Sequence, residues 1–164
     1  MKGGNVLRST TVLCASCLTD ERVVALLKRL GRELPIVFVG DMDPYAIVQY
    51  EETRRRLARG ATVTHGGVNS AWLDAIDRRS KDGKTLGRIR IALERHEVEL
   101  LKAIERCVDL EALVGARGAR MLRDGFKVEL EGAMNPALHP RDHGGWMLRY
   151  LRSRLRVSYP PRGG

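Results

Sequence analysis

The run Ile36-Val37-Phe38-Val39-Gly40 is continuous, apolar and of strand length, and Asp41-Met42-Asp43-Pro44 follows it at once. A run without polar interruption has no side to offer to water. It is expected to be buried on both faces, as strands of parallel sheets are. Pro44 suits the first turn of a helix, so a helix should run from it to Leu57 or Ala58 and stop at Gly60. Upstream, Thr10-Thr11-Val12-Leu13-Cys14 reads as a strand. Thr19 then caps a helix with Asp20 and Glu21 in its first turn, where acids complement the dipole. Val23, Val24, Leu26, Leu27 and Leu30 form its apolar face, and Gly31 ends it. Residues 61–65 read as a third strand, closed by Gly66-Gly67. Strand–helix–strand–helix–strand is the pattern of an α/β fold, a parallel sheet with flanking helices.

The C-terminal half reads as helical. A short helix starts at Asn69 or Ser70 and reaches Ile76, and residues 77–87 form a polar loop. Ile89, Leu93, Leu100, Ile104 and Val108 fall on one helical stripe. Residues 110–122 make a further helix, weakened by Gly115 and Gly118, and residues 126–134 another. Asn135-Pro136 and His139-Pro140 mark turns. The length, 164 residues, suits one domain. The organisation expected is a domain over residues 1–140 and a basic amphipathic tail over 141–164. No apolar run approaches membrane-spanning length. Met1-Lys2-Gly3-Gly4 has no apolar leader character, so the expected location is cytoplasmic, with no membrane partner.

Net charge is +9, and the tail holds six arginines against Asp142. Of 29 basic residues only six are lysine. Arginine pairs bidentately with phosphate, which fits a nucleic-acid partner; an Arg-rich coding bias fits the composition equally well. Arg149, Arg152 and Arg156 lie on one face of the tail and form its best electrostatic footprint for DNA. Arg54 and Arg55, within the run Arg54-Arg55-Arg56, are the other phosphate-facing candidates.

Asp41-x-Asp43 ends a buried strand, and sites in open α/β sheets lie beyond the carboxyl ends of their strands. Paired carboxylates there call for a cation or hydrogen-bond donors. Mg2+ suits them, because it takes hard oxygen ligands and keeps several waters. The plainer role for Asp43 is to cap the helix that begins at Pro44. Haloacid-dehalogenase-type enzymes place Thr or Val where Tyr45 stands, which argues against that family.

Residues 36–45, ending in Asp41-Met42-Asp43-Pro44-Tyr45, resemble the DxDPYG segment of the Toprim domain of topoisomerase VI A subunits and their meiotic double-strand-break relatives. Ala46 replaces the family glycine. The likeness continues in order. Residues 13–20 resemble the loop before that strand, without its glycines. Thr64-His65-Gly66-Gly67-Val68 with Ser70 and Asp74 resembles a later strand, and residues 121–131 resemble the C-terminal "ML…gKKaEiqAL" segment. The Wadjet-type plasmid-defence nuclease subunit shares this arrangement. The resemblance implies a Toprim-like fold, Asp41 and Asp43 as Mg2+ ligands, and DNA as substrate. It implies cleft positions for Asp20, His65 and Lys127.

The family's third acid, a glutamate ending its first strand, would fall within residues 1–9, which hold no acid. Its winged-helix domain, which bears the nucleophilic tyrosine, has no counterpart here. The resemblance therefore implies a domain that does not cleave DNA alone. It would be a fragment of a longer protein, or be completed by a second subunit supplying the glutamate and tyrosine, or work with an ATPase subunit or as a homodimer, associated with the nucleoid. Two alternatives stand beside it: a non-catalytic, degenerate Toprim module recruiting DNA or a protein, and a Mg2+-dependent phosphohydrolase with a DxD motif.

Tyr45 and Tyr50 are not expected to be nucleophiles. Cys14-Ala15-Ser16-Cys17 has redox spacing but no other support for redox work. Cys107 is expected to pack in a helix, and His96 in the core or a subunit contact. His139 and His143 belong to a turn rather than a metal site.

Overall fold

A computed structural model describes residues 20–79 and 84–133. The strand expected at 10–14, Cys14 and Cys17, the turns at 135–140, the domain boundary at 140, His139, His143 and the tail arginines all lie outside these residues.

Helix α1 (Glu21–Leu30) starts at Asp20, whose carboxylate accepts the Arg22 N–H at 2.8 Å. Asp20 is therefore the cap, and the expected cap Thr19 lies outside the described residues. Val24 is the buried anchor of the helix, and Gly31 ends it in right-handed geometry. A Cβ at Gly31 would stand 2.1 Å from that of Ala61, so close approach is what requires glycine here. β1 (Ile36–Phe38) pairs in parallel with β2 (Val63–His65), in register Ile36 with Val63 and Phe38 with His65. The strand is half-buried, which corrects the expectation of burial on both faces, and Val39 is exposed. Ile36 and Phe38 share a face and pack with Val24, Tyr50, Leu57 and Val63; Val37 alternates to the other. Between the two strands runs α2 (Pro44–Leu57), with Pro44 in its first turn as expected.

α3 (Ser70–Arg79) extends three residues past the expected end, and α4 (Thr85–Ile89) begins within the expected loop and runs two residues past it. The larger core unites Met42, Ile47, Val68, Trp72, Leu73, Ile76, Val114, Leu122 and Val128. α6 (Leu110–Arg123) packs against α3 and breaks at Gly115, where φ is +78°. Ser70 fills that break. Its hydroxyl donates to the Val114 carbonyl at 2.9 Å and accepts the Gly118 N–H at 3.0 Å. Both groups are ones a kinked helix cannot pair internally.

Two expectations fail together. The stripe from Ile89 to Val108 is not one helix: it is divided among α4, β3 (Arg90–Ala92) and α5 (Arg95–Ile104). Its members all reach the larger core nonetheless. Residues 126–134 are not one helix either, but β4 (Phe126–Val128) followed by the single turn α7 (Leu130–Ala133). The cause is long-range pairing. β3 and β4 are antiparallel, with Ile91 opposite Lys127, and tertiary pairing overrides local period. The result is an α/β fold with two two-stranded sheets among the described residues, one parallel and one antiparallel. None of the described helices is long and apolar enough to cross a membrane.

Candidate functional site

Beyond β1 the chain makes a second strand contact. Met42 N–H bonds the Val128 carbonyl at 2.9 Å, and Val128 N–H bonds the Met42 carbonyl at 3.3 Å. Both side chains are fully buried. Neighbours along extended backbone alternate in direction, so Asp41 and Asp43 on one segment, and Lys127 and Glu129 on the other, project away from that core. The bridge thereby joins the Asp pair to a segment more than eighty residues later.

Each aspartate is held by one backbone donor. Asp43 Oδ1 accepts the Ala46 N–H at 2.6 Å and caps α2, the plainer role foreseen for it. Asp41 Oδ1 accepts the Leu130 N–H at 2.6 Å, at the start of α7. The other oxygen of each carboxylate has no hydrogen-bond partner among the described residues. Burial pushes the Asp43 carboxyl above its ordinary pKa. The Ala46 N–H opposes this, and the Asp41 charge adds to it. Two carboxylates at one strand end thus carry mutual repulsion that a cation would relieve.

Lys127 does not neutralise them directly. Its ammonium donates to Glu97 Oε1 at 2.7 Å, with the side chains 14% and 4% exposed. Glu97 Oε2 accepts the Glu94 N–H at 2.8 Å. Burial acts to raise the Glu97 pKa, but the Lys127 hydrogen bond, the Glu94 N–H and the Lys127 charge together hold it below the ordinary value. The Glu97 hydrogen bond raises the Lys127 pKa, and the Asp43 and Glu129 charges add to that rise. Lys127 is therefore close enough to feel the Asp43 charge, and it is the partner of an acid that the sequence reading missed. The available signal was the pair Glu94 and Glu97, three apart at a helix start, which is capping-box spacing.

Gly40 and Gly67 fix where the Asp pair begins. A Cβ on Gly67 would lie 2.4 Å from the Gly40 carbonyl oxygen and 2.7 Å from its nitrogen. Backbone cannot yield as a flexible side chain does. Gly67→Ala is expected to lower stability by roughly 1–3 kcal/mol, read as a fall in melting temperature of several degrees. An unchanged melting temperature would refute this contact.

The remaining candidates lie apart from these contacts. His65 is a buried ring packed against Phe38 and edge-on to Tyr50 at 5.1 Å. Asp20 is the exposed cap of α1. Arg54 pairs with Glu51 at 2.7 Å, whereas Arg55 is exposed without an ion-pair partner among the described residues. Tyr50 is buried and donates to the Val63 carbonyl at 3.2 Å. Tyr45 is exposed, its ring 5.9 Å from that of His96. His96 itself is exposed on the chain, which corrects the core alternative of its expected packing, because the start of α5 turns it outward beside Glu94. Cys107 is also exposed, in the turn after α5 rather than within a helix. Asp74 pairs with Arg117, which also bonds Asp77.

Among the described residues no three His, Cys, Asp or Glu side chains form a metal-holding group. Asp41 and Asp43 can offer two oxygens to a cation that keeps its other ligands from water or phosphate, the usual habit of Mg2+. Comparison with family models, with curated proteins and with solved structures finds no match to the chain.

Proposed function

We propose that this chain is a Mg2+- and DNA-binding domain of Toprim type, working within a DNA strand-breaking system of the topoisomerase VI A or defence-nuclease kind. The observation that carries the proposal is the placement of Asp41 and Asp43 at the carboxyl end of β1. Each is anchored through one oxygen, and each has its second oxygen without a partner among the described residues. Mg2+ bound there would supply positive charge to a phosphate oxygen. The chain's own residues do the rest. The Ala46 and Leu130 N–H groups orient the carboxylates, Met42 holds their segment to the core, and Lys127 and Glu97 fix β4 to α5. A nucleophile and a third acid come, in this proposal, from outside these 164 residues, so the domain described does not cleave DNA by itself.

One specific observation favours a second reading. The two 2.6 Å capping bonds are a sufficient structural use for both aspartates, as a non-catalytic recruiting module would have them. A Mg2+ titration by calorimetry separates the two. Asn caps helices as well as Asp does, so Asp41→Asn with Asp43→Asn keeps the caps and removes both charges. The expected result is wild-type Mg2+ binding and a loss of at least about tenfold in the double variant, equal to ~1.4 kcal/mol. Equal affinity in both proteins would leave the capping reading and remove the metal site.

A further inference from the structure

Helix α1 crosses the C-terminal half of α2. Val24 packs in one cluster with Tyr50 and Leu57, and Glu21 bonds Arg56. A Cβ on Gly60 would lie 2.8 Å from Lys28 Cβ, so the ends of the two helices meet closely. On the outside, Arg22, Ala25, Leu26 and Arg29 share an open face of α1. Their spacing is that of one helix face, and the two arginines stand about 10 Å apart along the axis. Arg32 is exposed just past α1. Arg55 and Arg59 are exposed four residues apart at the end of α2.

None of these five arginines has a carboxylate partner among the described residues. Other arginines do: Arg117 bonds Asp74 and Asp77, and Arg123 bonds Glu105 and Glu111. Two acids on α1 and α2 are already engaged, Glu21 by Arg56 and Glu51 by Arg54. Asp20, the exposed cap beside Arg22, with Glu33 and Glu52 remain against these five arginines and Lys28. Like charges gathered without partners repel one another, and a polyanion laid across them relieves that repulsion.

We infer that the outer face of α1 and the C-terminal end of α2 form one surface that tracks the phosphate backbone of duplex DNA, through Arg22, Arg29, Arg32, Arg55 and Arg59. The inference rests on the DNA-binding reading above and locates it. Arginine rather than lysine forms the surface, which suits bidentate phosphate contact. A membrane surface fits less well. Val24 and Leu27 pack inward, leaving Leu26, 40% exposed, as the large apolar side chain that α1 presents. A membrane-bound helix buries a broad apolar face. Along α2, Arg55 and Arg59 stand at least about 18 Å from Asp43, roughly two screening lengths at physiological salt. Ridge and acid pair are thus independent in test.

The experiment is fluorescence anisotropy of the full chain with a labelled duplex of about 20 base pairs, between about 50 and 200 mM salt. Removing Arg22, Arg29, Arg55 and Arg59 together by substitution to Gln is expected to reduce the slope of log affinity against log salt by about 3 to 4, near 0.9 per lost contact. Single Arg29→Gln and Arg59→Gln variants, each expected to remove about 0.9, carry the same test with little burden on folding. Mg2+ affinity should not change in any of them. A wild type that binds DNA with a salt slope untouched by these substitutions overturns the ridge and leaves the DNA reading standing. A wild type that binds no DNA overturns that reading itself. Loss of binding to phosphatidylserine vesicles, with DNA binding intact, assigns the ridge to a membrane and overturns it as a DNA surface.

Discussion

Lys127→Ala is expected to destabilise the protein by roughly 3 kcal/mol, because removing one partner of a buried ion pair strands the other charge. Glu97 would keep only the Glu94 N–H as a donor, with its side chain 4% exposed. The estimate sits at the low end of the range for such pairs since Lys127 retains some contact with water. Glu97→Gln should cost less, as the amide keeps most of the shape and removes the charge that needs pairing. Urea unfolding at neutral pH measures both, and a loss below about 1 kcal/mol for Lys127→Ala would show a surface pair instead.

The pair also sets a pH window. Glu97 has its folded pKa held below the ordinary value, so its contribution is present above that value and lost as pH falls through the folded one. Lys127 has its folded pKa raised, so its contribution is present below the ordinary lysine value and lost as pH climbs through the folded one. Together they stabilise most between about pH 5 and 10. Glu97→Gln should flatten the acid side of the stability profile. An acid limb of the same steepness as wild type would remove Glu97 from that role.

Met42→Ala is expected to cost about 2–5 kcal/mol, the range for truncating a fully buried large side chain. Met42 lies between the two aspartates in sequence and on the opposite side of the backbone from them. Its sulfur would stand 3.1 Å from a Cβ on Gly118, and its backbone bonds Val128 on both sides. The cavity therefore opens directly beneath the Asp pair. Beyond lower stability, the proposed Mg2+ site predicts that this variant binds Mg2+ more weakly than wild type when measured well below its melting temperature. Met42→Leu, similar in volume, should restore most of both. Retention of full Mg2+ affinity by a destabilised Met42→Ala would show that the core beneath the pair does not position it.

Much of the first half was legible from local pattern. Asp43 starts a helix because its side chain satisfies an N–H group that no helix can pair within itself, and Asp20 does the same one residue after the expected cap Thr19. Pro44 and Gly60 bound α2 for steric reasons carried by those residue types. The apolar run of β1 and the Asp pair after it are adjacent in sequence, so their juxtaposition needs no tertiary information. Even the stripe from Ile89 to Val108 correctly marked core residues, although it misassigned the element. Half-burial of β1 was not legible, because burial depends on what packs over each face.

The amino-acid sequence by itself determined an α/β chain with two acids at the end of a strand and a helix capped by the second. The tertiary structure decided which groups meet those acids. Residues 126–128 became β4 because Arg90–Ala92 and Met42 offered unpaired backbone partners, a long-range condition that no local period encodes. That pairing brings Lys127 and the Leu130 N–H beside Asp41 and Asp43, and α5 delivers Glu97 from thirty residues before Lys127. The arginine ridge proposed above depends on tertiary structure in the same way, since α1 and α2 each carry ordinary surface charge and meet only in the folded chain. Hydrophobic pattern and capping act over a few residues, whereas a site's electrostatics depend on which segments the folded core brings into contact.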